Sequence, residues 1–292
     1  MSLQIGTLLC LLTIPFAAVN SLHHALAQRP VPGRKRIHAV NLIVAIGFSA
    51  LAAGTQSSPG DTASALVFAR LWLPIVYFWW AYAWAGHTLH LFHPPEFSYD
   101  RPLINVEQRL FGNPSLWLGR NRPAWLNELM QISYWLYLLY TPFLGIALYS
   151  AGDFRRFEAM ALAVCLGYAI SYSAYPWMPL WGPRWALVSE GLLPEDERRL
   201  PGYLISGWTH RIMWSSTAHK GGAMPSAHSS TCLVFIVWCW RIWGASGAVA
   251  GGVVGGLMFV STVYGRYHYV VDVLVGVAVG LVSLVLADLL VL

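Results

Sequence analysis

The sequence predicts an all-α fold, a polytopic bundle of membrane-spanning helices. Of the 292 residues, 57% are hydrophobic and only 11% are charged, where a soluble domain carries about 25% charged. Apolar runs close to the ~20 residues needed to cross a bilayer recur along the whole chain. Tryptophan and tyrosine gather near the ends of these runs, as in Tyr77-Phe78-Trp79-Trp80 and Trp135-Leu136-Tyr137. That placement fits aromatic belts at the headgroup level.

Eight hydrophobic segments follow, near residues 3–21, 39–54, 65–92, 127–150, 158–178, 228–243, 247–265 and 269–291. The first lacks a basic start and a clear small-residue cleavage site, so it reads as a helix, not a signal peptide. The second is short and rich in small residues. We divide the chain into an N-terminal transmembrane pair with its loops (1–64) and a six-helix core (65–292). Two long polar connections interrupt the core. Residues 93–126 interleave Leu103, Ile104, Val106, Leu110 and Phe111 with arginines, the pattern of a helix lying in the membrane interface. Residues 179–227 contain Gly182-Pro183-Arg184, the run Glu195-Asp196-Glu197-Arg198-Arg199, and Lys220-Gly221-Gly222. Gly247, Gly251, Gly252, Gly255 and Gly256 give one segment the small residues that let membrane helices approach closely. Cys10, Cys165, Cys232 and Cys239 lie in apolar runs, without metal-ligand or redox spacing, and read as packing residues. Asp288 is expected to reach the far interface. The net charge of +5 reflects loop arginines facing lipid headgroups, not a nucleic-acid partner. The expected partners are the bilayer and a membrane lipid; the sequence sets no oligomeric state.

Helices that alternate sides put the start of the sixth segment and the 265–269 junction on one membrane face. Loops 22–38, 93–126 and 179–227 fall on the same face. Two stretches there carry the chemistry: Met224-Pro225-Ser226-Ala227-His228, and Gly265-Arg266-Tyr267-His268-Tyr269-Val270-Val271-Asp272. An ionisable group at the edge of a membrane segment is costly, so a functional role is the default expectation. Asp272 follows His268 by four residues, which on a helix would put both on one face. The carboxylate could then bond one ring nitrogen and leave the other to react. Phosphoryl transfer needs a nucleophile, a proton donor for the leaving oxygen, and positive groups around the phosphate oxygens. His228, His268, Asp272, Arg184, Arg266 and Lys220 could supply these, Ser226 could add a hydroxyl, and the N–H groups of Ala227 and His228 at a helix start suit an anion.

Pro225-Ser226-Ala227-His228, followed 40 residues later by His268 and then Asp272, resembles the type 2 phosphatidic acid phosphatase superfamily. That clan includes lipid phosphate phosphatases and relatives of the inositol phosphorylceramide and sphingomyelin synthases. Ala227 stands for the family's glycine. Ser261 holds the serine place of its third motif, but Thr262 replaces the expected arginine, and Arg266 lies two residues before His268 instead. The first motif, lysine and then arginine-proline, is absent in that form; its nearest counterparts are Arg184 and Lys220. The Gly-Pro-Arg and Arg-Tyr-His-Tyr details look more like the synthase branch. The resemblance covers about residues 65–291. It implies His268 as a nucleophile forming a phosphohistidine, Asp272 as its support, and His228 as the acid for the leaving alkoxide. Arg266, Arg184, Lys220 and Ser226 would hold the phosphate. It implies no metal and no cofactor. The expected function is hydrolysis of a lipid phosphomonoester or diphosphate, with lipid phosphotransfer to an alcohol as the alternative and a non-catalytic membrane binding or transport protein as the remote one.

His87, His90 and His93 recur every three residues, but no carboxylate or cysteine lies at ligand spacing among them. Their expected place is the polar mouth of the site. The expected location is a cell (inner) membrane. Its sidedness carries a conflict. The resemblance implies an extracytoplasmic site, our expectation, whereas the basic run Arg29, Arg34, Lys35, Arg36 and the other loop arginines on that face favour the cytoplasm by the positive-inside rule.

Overall fold

The computed structural model describes residues 3–27, 30–31, 33–54, 65–213 and 220–292; Arg29 of the basic run lies outside them. Among these residues the regular structure is entirely helical: α1 (Thr7–Leu26), α2 (Arg34–Ala53), α3 (Ala65–Ala85), α4 (Asp100–Phe111), α5 (Pro114–Trp117), α6 (Ala124–Trp135), α7 (Tyr137–Ser150), α8 (Phe154–Ala174), α9 (Pro183–Ser189), α10 (Leu204–Met213), α11 (Ala227–Tyr264) and α12 (Val270–Val291). Six of them, α1, α2, α3, α8, α11 and α12, are long and apolar enough to cross a bilayer. α6 and α7 together form a further passage, bent by 48°.

α11 needs a closer reading. Its 38 residues would extend about 57 Å if straight. Gly244 instead adopts φ 63°, ψ −141°, a left-handed backbone that glycine reaches without a Cβ clash. The chain reverses there. Cys232 Sγ lies 3.3 Å from the Gly255 carbonyl, and a Cβ added at Gly251 would sit 2.8 Å from Cys239 Cβ. Two antiparallel halves therefore pack directly on each other, in place of the two separate segments 228–243 and 247–265 of the sequence. Of the five glycines, Gly247, Gly251 and Gly255 make this contact, while Gly252 and Gly256 face open space.

The core is one aliphatic and aromatic cluster shared by α1, α3, α7, α8, α11 and α12. All four cysteines are buried in the bundle. The N-terminal pair is fixed at the end remote from the histidines. There the fully buried Arg70 donates to Gln4 Oε1 (2.7 Å) and to the carbonyls of Leu51 (2.8 Å) and Ala52 (3.0 Å). A cation is well matched to the carbonyls at the C-terminus of α2. Asp288 pairs with Arg241 at 2.7 and 2.6 Å near the same end.

The opposite end carries the polar connections. α4 is amphipathic, as its sequence predicts. Ile104 packs with Ala186, Leu187, Leu193 and Tyr269, while Arg101, Leu110 and Phe111 are exposed. α3 stops at Ala85, with a 3-10 turn following, so His87, His90 and His93 do not lie on successive turns of one α-helix. His93 stacks on Phe97 at 4.8 Å.

Candidate active site

Each reactive side chain sits where a helix begins or ends. Ser226 caps α11 by accepting from Ser229 N at 3.2 Å and Ser229 Oγ at 3.0 Å. That cap satisfies an otherwise orphaned amide and starts the helix one residue before His228. At the other end of α11, the Thr262 carbonyl accepts from Tyr267 N (2.9 Å) and His268 N (3.1 Å). The tight turn delivers His268 just before α12. Because the chain reverses at Gly244, both histidines reach the same end of the bundle. His228 Nδ1 lies 3.2 Å from His268 Nε2.

His268 precedes α12, so it does not share a helical face with Asp272. Asp272 is the third residue of that helix, and its Oδ2 accepts from Tyr269 N at 3.0 Å. Capping the helix end draws the carboxylate back. His268 Nδ1 remains 3.6 Å from Asp272 Oδ2, an ion-pair approach longer than a hydrogen bond. Asp272 Oδ1 has no hydrogen-bond partner among the described residues. Burial pushes the His268 imidazole down to about 4, with the Ala223 backbone opposing and Arg184 adding to the shift. Burial thus favours the neutral ring.

The histidine pair faces a cavity of about 190 Å³ walled by Trp79, Tyr82, Tyr134, Tyr137, Tyr168, Tyr172, Tyr175, Trp181, Arg184 and Tyr267. Seven phenol rings in one cavity combine apolar bodies with hydroxyl tips. Tyr134 Oη meets His228 Nε2 at 3.1 Å and its ring stacks on Tyr267 at 4.2 Å. Tyr137 packs edge-on against His228 at 4.4 Å. The two tyrosines flank the bend between α6 and α7 and meet one imidazole.

The structure divides the expected phosphate ligands. Arg184 lines the cavity with its guanidinium 5.7 Å from the Tyr267 ring. Lys220 is exposed, with its ammonium 3.4 Å above the Trp181 ring at the cavity rim. Ala227 and His228, at the start of α11, also line the cavity. Arg266 points elsewhere. In a left-handed conformation, φ 61°, it sends its guanidinium to the carbonyls of Ser115 (3.0 Å) and Glu197 (2.6 Å). It is 1% exposed and ties the 113–118 and 195–199 segments to the catalytic turn. Ser226 is buried and spends its hydroxyl on the helix cap. Thr262, in the family's arginine place, is wholly buried and bonds the Phe259 carbonyl at 2.7 Å.

The sequence profile of the PAP2 superfamily matches residues 101–286. The chain belongs to the PAP2 superfamily. No curated protein and no solved structure matches it. PAP2 membership carries a phosphatase-like or phosphotransferase-like function, and the helix bundle makes this a multi-pass membrane member.

Sequence reasoning missed Tyr134 as the partner of this PAP2 site's His228. Tyr137, which the sequence groups with the interfacial aromatics, lines the cavity. The signal available was the density of tyrosine within apolar segments, which by itself does not separate belt from cavity.

Proposed function

We propose that the protein is an integral-membrane lipid phosphate phosphatase that acts through a phosphohistidine on His268. The supporting observation is the direct apposition of His228 and His268 on the wall of a cavity that also holds Arg184. A lipid can leave its tail in the bilayer while its phosphate enters this cavity beside the cation. Phosphate must enter between the rings, taking the place of their mutual hydrogen bond. The entering anion favours the imidazolium form of His228. His268 Nε2 then attacks phosphorus as the bond to the lipid oxygen breaks. His228 Nδ1 gives its proton to that oxygen, releasing the lipid alcohol. Water attacks next, His228 takes the proton, and the phosphorus–nitrogen bond breaks to restore His268. Asp272, behind Nδ1, holds the ring orientation and favours positive charge on it. Arg184 stabilises the charge on the transferring group, with Lys220 at the rim drawing the headgroup in.

The seven tyrosines favour a second reading, a lipid phosphotransferase. Their hydroxyls could hold an alcohol acceptor in place of water. A single assay separates the two. Purified protein is given a panel of lipid phosphates with and without a polyol acceptor such as inositol. Phosphate release unaffected by the alcohol supports the phosphatase; acceptor-dependent formation of the polyol phosphate at the expense of free phosphate replaces it. His268→Ala should abolish turnover in both cases, and its persistence would rule out the covalent mechanism.

A further inference from the structure

Two buried carboxylates on α4 lie outside the chemistry above. Asp100 is 2% exposed and Glu107 fully buried. Neither forms an ion pair among the described residues. Each is instead filled with donors from the catalytic turns. Asp100 Oδ2 accepts from Trp181 N at 2.7 Å, and Oδ1 accepts from Gly182 N at 3.0 Å and from Tyr269 Oη at 2.9 Å. Glu107 accepts from the first two amides of α12, Val270 N at 2.8 Å and Val271 N at 3.3 Å.

The partners of Asp100 belong to two separate segments. Trp181 and Gly182 immediately precede Pro183 and Arg184, and Gly182 has φ 84°, so this turn sets where the guanidinium enters the cavity. Tyr269 immediately follows His268. One carboxylate therefore holds the anion-binding turn and the nucleophile turn in a fixed relation, and Arg184 N bonds the Arg266 carbonyl at 2.9 Å on the other side. A buried carboxylate is costly unless its oxygens are satisfied, and burial raises the Asp100 pKa while the bonds it accepts oppose that. Simple anchoring of an interfacial helix would need no carboxylate here, since Ile104 already packs α4 onto Tyr269 and Leu187.

We infer that Asp100 is a positioning residue that couples Arg184 to His268, presenting the phosphate-binding cation and the nucleophile to the same phosphate. This rests on the phosphate-site reading above. The test uses the full chain in detergent, with Asp100→Asn, Arg184→Ala, their double variant and Tyr269→Phe. Affinity for inorganic phosphate is read from ligand-dependent thermal shifts, and kcat and KM from lipid phosphate turnover. Asp100→Asn should weaken phosphate binding and raise KM by about tenfold. In the Arg184→Ala background it should add less than about twofold, because coupled residues are not additive. Tyr269→Phe, which leaves both backbone amides on Asp100, should lower kcat several-fold with KM and phosphate affinity unchanged. Equal effects of Asp100→Asn with and without Arg184 would overturn the proposal by showing a merely structural role. If Asp100→Asn does not fold, Tyr269→Phe decides: an unchanged kcat overturns it. A wild-type protein that binds phosphate but never turns over would sink the enzymatic reading and leave the phosphate affinities to judge Asp100. Failure of the wild type to bind phosphate would overturn the coupling itself.

Discussion

At the scale of the residue, the tyrosine behind His228 holds the ring that the proposed mechanism uses as proton donor. With His268 Nε2 unprotonated, His228 must present Nδ1–H toward it, so Tyr134 donates to Nε2 of the neutral His228 ring; this tautomer follows from the network. Tyr134→Phe removes that support without removing a ring. We expect kcat to fall about 10-fold, well short of the 10²–10⁴-fold expected for His228→Ala; equal losses would make Tyr134 the proton donor instead. Arg184 and Arg266 make a second contrast. Arg184→Ala should raise KM for the lipid phosphate. Arg266→Ala leaves the carbonyls of Ser115 and Glu197 without their donor and should lower the midpoint, the cost of unsatisfied buried groups being about 1–3 kcal/mol. A rise in KM alone would instead put Arg266 on the phosphate. The third expectation concerns pH. A nucleophile must be the free base, and burial moves His268 down to about 4. The acid limb of kcat/KM from this group, corrected for the substrate's own ionisation, should lie near pH 4. A limb near 6.5, the ordinary histidine value, would show that the ring is not buried as described.

At the scale of the element, the reversal inside α11 is the decisive local event. Gly247 shows what it requires. A Cβ there would press on the Cys239 carbonyl oxygen, whereas one at Gly252 would meet nothing. Gly247→Ala should therefore destabilise the protein by about 1–3 kcal/mol through overpacking, and Gly252→Ala should be near neutral. Thermal midpoints of the two variants check this directly. Equal midpoints would mean that the two halves of α11 do not pack as tightly as they stand here. The bend between α6 and α7 works in the same way at lower cost. Tyr134 and Tyr137, three residues apart across the break, meet the same imidazole.

At the scale of the whole molecule, sidedness can be tested because the native thiols are buried. Pro30→Cys should react with a membrane-impermeant maleimide in intact cells if the site faces away from the cytoplasm. Reaction only after lysis would follow the positive-inside rule and place the histidines in the cytoplasm. The division between what was legible and what was not follows from the range of the signals. Composition and run length determine that these segments enter a bilayer, because an unpaired backbone there must satisfy itself as helix. Alternation of eight segments puts two distant histidines on one face. Hydrophobicity is local and additive along the chain, so the sequence alone carries that much. It does not carry direction. Only the packed structure decides that Arg266 turns away to bind loop carbonyls, that Asp272 caps a helix 3.6 Å short of a full contact with His268, and that Tyr134 and Asp100 close around the site. The Asp272 cap is local, but the Arg266, Tyr134 and Asp100 contacts join donors and acceptors 69 to 169 residues apart, geometry that no single segment contains.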